Sequence, residues 1–181
     1  MAVSFRPLTE QEIEVRVSRV TNAGVELLLF KDSRCDMRIL DETFGVENWQ
    51  NRFYECKGTL FCEVSFLVER ADGLREWVSK SNAGSPSNME AVKGEASDAL
   101  KRSCFTLGIG RELYTAPRIF VYADKCKSLK QGKNGKMQCY DHFSVAKIKV
   151  VDGRIVGLAI RNDDTGRVVF THVEDGYGKE Q

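Results

Sequence analysis

The chain has 181 residues, 42% of them hydrophobic and 29% charged, which is enough for a real core in a water-soluble globular protein. Its 27 Lys and Arg stand against 26 Asp and Glu, so a net charge of +1 excludes a whole-protein basic field, and any polyanion must be met by a local cluster of cations. The longest apolar run, Val25 to Phe30, is broken by Glu26 and is too short to cross a bilayer, so no membrane partner is expected. MAVSFRPLTEQ has no apolar export core, and the six cysteines at 35, 56, 62, 104, 126 and 139 contain no CxxC, so reduced thiols and a cytoplasmic setting are expected.

Taken in chain order, Thr9 with Glu12 three residues on predicts a capped opening helix. Glu14 to Val20 alternates as a strand, Asn22 to Gly24 turns, and Val25 to Phe30 returns. Asp36 to Phe44 has helical spacing and Gly45 stops it. Trp49 to Cys56, Leu60 to Glu69 and Arg75 to Ser79, punctuated by Lys57-Gly58 and Asp72-Gly73, predict an antiparallel meander. Asn82 to Asn88 reads as a loop. A long helix then starts near Ser87 with a capping box to Glu90, and Gly108 and Gly110 end it. Lys125 to Met137 is rich in Lys and Gly without an apolar period. His142 to Phe170 alternates in three runs, predicting a small three-stranded sheet, and Gly176 to Gln181 reads as a frayed end.

In the long helix, positions 89, 92, 96, 99, 100, 103/104 and 107 form an apolar stripe that is expected to cover the sheet. Lys101 and Arg102 lie on either side of the opposite face. Phe105 falls between them, over Gly94 and Asp98. An Asp98–Arg102 i,i+4 ion pair on a solvated face accounts for the charges. It does not account for a large apolar ring, which points to a face covered by another subunit or lining a groove. Cations beside an aromatic group are what a single-stranded nucleic acid needs, for phosphates and for bases. Arg16, Arg19, Arg34, Lys57 and Lys80 also fall on or near the strands, where each reads either as a solvated charge or as a further contact.

FKDSR (30–34), RILDETFGVENW (38–49), the meander, and above all KGEASDALKRSCFTLGIGRELY (93–114) resemble the Rad-fifty-two superfamily of single-strand annealing proteins, with the phage Sak-type branch most similar. The resemblance covers residues 10 to 115. It implies an α+β subunit whose curved antiparallel β-sheet packs on a long helix, assembled into an oligomeric ring or helical filament with single-stranded DNA in a basic groove. By position, Lys101 and Arg102 match the paired cations that hold the DNA backbone. Arg16, or Arg19, matches a groove arginine from the first strand. Phe30 stands where relatives often carry tyrosine, and Arg34 matches an arginine of the Sak-type segment. Phe105 replaces a residue that is cationic in some relatives. The chain then divides into an annealing core over residues 1–119 and a basic loop with a small β extension over 120–181. The expected partners are single-stranded DNA, further copies of the chain and, as a further candidate, a host or phage single-strand-binding protein.

Other motifs weigh less. Gly108-Ile-Gly110 follows a helix, so it is not a dinucleotide loop, and no GxxxxGK[ST] is present. Annealing draws its free energy from base pairing, so neither ATP nor another cofactor is expected, and the protein is read as non-catalytic. Cys126, Cys139 and His142 give three metal-ligand types at one irregular spacing, short of a zinc signature. Asp36, Asp41 and Glu42 form a weak candidate for a nuclease metal cluster. Five lysines between 125 and 136 read as a solvated loop or a second DNA contact. Two rival functions stand beside annealing: a DNA-end-protecting protein on the same fold, and an oligomeric scaffold that does not bind DNA.

Overall fold

A computed structural model of the chain describes residues 3–86 and 91–177. The capping box expected over Ser87–Glu90, the stripe position Met89 and the last four residues lie outside the described residues. The chain is α+β with antiparallel sheets, and it forms two compact units interleaved in sequence: residues up to Arg6 with Asp32–Gly110, and Pro7–Lys31 with Arg111 onward.

The first unit holds two helices and a three-stranded sheet in the order β3-β4-β5, over Trp49–Cys56, Thr59–Glu69 and Arg75–Ala83. The meander follows from its turns. Lys57 and Gly58 have φ of +53° and +72°, the left-handed pair that a two-residue hairpin loop requires. Helix α1 (Ser33–Phe44) begins three residues earlier than its apolar spacing predicts, because Asp32 caps it by accepting the Cys35 amide at 2.8 Å. Its end comes at Gly45, whose N–H donates to Asp41 O at 2.9 Å.

Helix α2 (Ala91–Leu107) lies against β4 and β5. Ala99, Leu100 and Cys104 are buried from it, opposite the buried Cys62, Val64 and Phe66 of β4. Ser103 is also buried and donates to Cys62 O at 2.6 Å, so a polar member of the stripe is satisfied by the sheet backbone. Backbone contact is close: a Cβ on Gly84 would stand 2.2 Å from Glu95 O, so only glycine fits there. One stripe position departs from expectation. Val92 is 80% exposed, and burial of the stripe begins only further along the helix.

The second unit is built on a six-stranded sheet in the order β11-β10-β9-β1-β2-β6. Strands β1 (Glu14–Thr21) and β2 (Gly24–Phe30) form its hairpin, and β6 (Ile119–Tyr122) pairs with β2. The C-terminal strands β9 (Phe143–Val151), β10 (Arg154–Asn162) and β11 (Arg167–Val173) were expected as a separate small sheet. They are consecutive and antiparallel, but β9 also pairs with β1 through Glu14↔Ser144 and Val15↔Phe143, which merges them into one sheet. Its core side is set by Val25, Leu27, Ile119, Val121, Ile155, Leu158 and Ile160, all buried. The opening helix is a single 3-10 turn at Glu10–Glu12, with Glu12 accepting the Thr9 amide at 2.9 Å. The segment expected to be irregular carries a short hairpin of β7 (Lys130–Gln131) and β8 (Met137–Gln138).

Candidate nucleic-acid interface

The β1–β2 hairpin presents cations because of one irregularity. Arg16 pairs with Leu28, but a register shift between Val17 and Arg19 places Arg19 opposite Glu26. Directly opposed residues share a face, and Glu26 and Leu28 are two apart on β2, so Arg16 and Arg19 share the outward face. A regular strand would have put these two on opposite faces, three positions apart. The bulge at Ser18, whose hydroxyl donates to Glu26 O at 3.1 Å, is what brings both arginines to that one face.

On that face the Arg16 guanidinium lies over the Phe30 ring, 5.1 Å from its centroid, and its Nε donates to Glu14 Oε2 at 3.0 Å. Both Arg16 and Phe30 remain exposed, so the planar cation is held in place and still open to a ligand. Continuing across β2, Arg118 pairs with Glu26 at 2.9 Å and lies 5.9 Å from the Phe120 ring, which packs edge-on against Tyr122. Arg118, Phe120 and Tyr122 extend the pattern of cations beside rings and were not singled out in the sequence. The alternation of ArgIlePheValTyr over 118–122 was the available signal, with Ile119 and Val121 buried and Tyr122 exposed.

In the other unit, Lys101 is half-buried on α2 and Arg102 is exposed. Arg102 Nε donates to Asp98 Oδ2 at 2.8 Å, the i,i+4 pair that the spacing allows, and the same oxygen accepts the Ser85 amide at 3.0 Å. Asp98 therefore holds both Arg102 and the Ser85 backbone. Gly94 and Phe105 are half-buried, so Phe105 does not stand out in water as the helical wheel alone implied. Arg34 lies in the first turn of α1, 85% exposed, with its Nε 3.0 Å from Asp32 Oδ2. Lys57 is at the tip of the β3–β4 hairpin, and Lys80 is exposed on β5 opposite Val64. A second ring-and-cation group sits on the meander, where Tyr54 stacks on Phe61 at 5.5 Å and Arg52 lies 5.7 Å from the Tyr54 ring.

Of the three carboxylates weighed for a nuclease cluster, Asp36 is buried, Asp41 accepts the Trp49 indole N–H at 2.7 Å, and Glu42 pairs with Arg6 at 2.7 Å. His142 is turned to Asp164, with Nδ1 3.1 Å from its carboxylate, and does not join Cys126 and Cys139. Asp141 joins them instead: one ligand atom from each of the three lies within 4.8 Å of the others. Among the described residues, no helix is long and apolar enough to cross a membrane.

No curated protein matches the chain. The sequence model of a family described as Rad52/22 family double-strand break repair protein matches residues 6–132, from before β1 through β7, and the chain belongs to that family.

Proposed function

We propose that this protein binds single-stranded DNA and anneals complementary strands without ATP, as a homo-oligomer serving recombination in a phage or prophage of the Sak-type branch. The family is one of DNA double-strand break repair and annealing, whose members bind DNA and self-associate. The observation that carries the reading is the outward face of the β1–β2 hairpin. There Arg16 is stacked on Phe30 beside Arg19, on a protein whose net charge is only +1. Such a face offers phosphates a cation and bases a planar surface, with no dependence on sequence. Lys101 and Arg102 supply a second cation pair on α2. Self-association is supported by the three-stranded sheet, in which β3 and β5 each pair on one side only among the described residues.

Annealing leaves Watson–Crick edges open, so the protein is expected to bind mixed-sequence single strands with affinities within about tenfold of one another. A duplex should bind more weakly. Competition between poly-dT, mixed single strands and duplex at one salt concentration, followed by an annealing assay on the same preparation, separates the readings. An end protector binds without accelerating pairing, and a scaffold does not bind. Strong preference for one short sequence, or for duplex, would contradict the proposal.

A further inference from the structure

We propose that Cys126, Cys139 and Asp141 form a binding site for a thiophilic divalent cation of the Zn²⁺ class, at the base of the lysine-rich β7–β8 hairpin. The three residues come from two stretches of chain. Cys126 caps the 3-10 turn Ala123–Lys125, Cys139 follows β8, and Asp141 precedes β9. Their ligand atoms lie within 4.8 Å of one another. Two sulfurs at the usual Zn–S length of about 2.3 Å stand about 3.8 Å apart in a tetrahedron, so the side chains need to close by at most about 1 Å. Two thiols and a carboxylate suit zinc and its neighbours and not magnesium or calcium. The fourth position is left for water. On binding, each thiol gives its proton to solvent and its sulfur lone pair to the metal.

The surroundings are those of a built site. Asp141 is 7% exposed, and its carboxylate is oriented by the Lys127 amide at 2.6 Å, the Ser128 amide at 2.8 Å and the Asn162 side-chain N–H at 2.7 Å. Asn162 is itself fully buried. Hydrogen-bonded support of this kind is what fixes ligating carboxylates. Cys126 also lines an open cleft with Asp124, Lys125, Thr165, Arg167 and Val169. The hairpin has reason to need a tie. Two paired residues on each strand are too few to hold a two-stranded sheet by themselves, and its chain ends meet at this cluster.

The test uses the full chain, stripped of metal, under a non-chelating reductant, with Co²⁺ as the spectroscopic probe. The expected result is one Co²⁺ per chain with a thiolate-to-cobalt charge-transfer band, displaced by one equivalent of Zn²⁺. The band should persist in Cys56→Ser, which changes an exposed cysteine elsewhere, and vanish in the double variant Cys126→Ser, Cys139→Ser. Absence of the band from the wild-type chain overturns the proposal whatever the variants do. So does a band that survives in the double variant.

Discussion

Arg16 and Phe30 meet across the β1–β2 hairpin, with the guanidinium carbon 5.1 Å from the ring centroid and both side chains open to solvent. The pairing comes from register: Glu14 is opposite Phe30 and Arg16 opposite Leu28, so arginine and ring are diagonal neighbours on one face. A planar cation lying on a ring has fewer orientations to lose when a phosphate or base arrives.

That relationship predicts a graded response. Phe30→Ala removes a contact of about 0.5–1 kcal/mol at an exposed site and should weaken single-strand binding roughly two- to fivefold. Phe30→Tyr should keep the affinity. Arg16→Ala and Arg19→Ala should each flatten the salt dependence of log K by about 0.7. Fluorescence anisotropy over a salt series measures all four. Wild-type affinity and slope in both arginine variants would remove this face from the interface.

Lys101→Ala with Arg102→Ala should lower the salt slope by about 1.4, while the protein still folds. Its stability should change little, because the Arg102–Asp98 pair is exposed and worth about 0.3–0.5 kcal/mol. Thermal unfolding and anisotropy on one preparation check both halves. An unchanged slope would show that these cations do not touch DNA.

The cap of α1 gives a test of the fold. Asp32→Ala should cost about 1 kcal/mol, reduced by solvent since the side chain is 36% exposed. Burial raises the Asp32 carboxyl, but the Cys35 amide and Arg34 together hold it below its ordinary value. A carboxylate depressed in the folded state contributes stability that is fully present above its unfolded pKa, about 3.9, and is lost as pH falls through the lower native value. The gap between wild type and Asp32→Ala in denaturant melts should therefore be constant near neutrality and shrink at acid pH. A gap that widens on acidification would contradict this role.

Gly84→Ala should destabilise by about 1–3 kcal/mol, because the new methyl meets Glu95 O at 2.2 Å and Ala99 Cβ at 3.0 Å. A melting temperature equal to wild type would mean that α2 and the strand end do not approach so closely.

Much of this was readable before the structure, where the signal was local. Lys57-Gly58 announces a tight hairpin, and Thr9 with Glu12 announces a helical turn, although one turn is all that forms. Gly108 follows the last residue of α2 as its spacing predicts. What was not readable depends on distant partners or on irregularity. β6 is four residues long and sits just after Pro117, too short for a periodic signal, and its place is given only by pairing with β2. The joining of β9 to β1 brings together residues about 130 apart, so no window along the chain contains it. The bulge at Ser18 leaves the alternation of β1 looking ordinary while moving Arg19 to the face of Arg16. Val92 fits the helical stripe but is left exposed, since spacing says which face a residue takes and not whether anything covers it.

The most direct test is the rate at which two complementary mixed-sequence oligonucleotides pair, without nucleotide, in the presence of wild-type protein and of the Lys101→Ala, Arg102→Ala variant. The wild-type chain should accelerate pairing well above the protein-free rate, and the folded variant should return it toward that rate. Tight single-strand binding by the wild type with no acceleration, or full acceleration by the variant, would contradict the account.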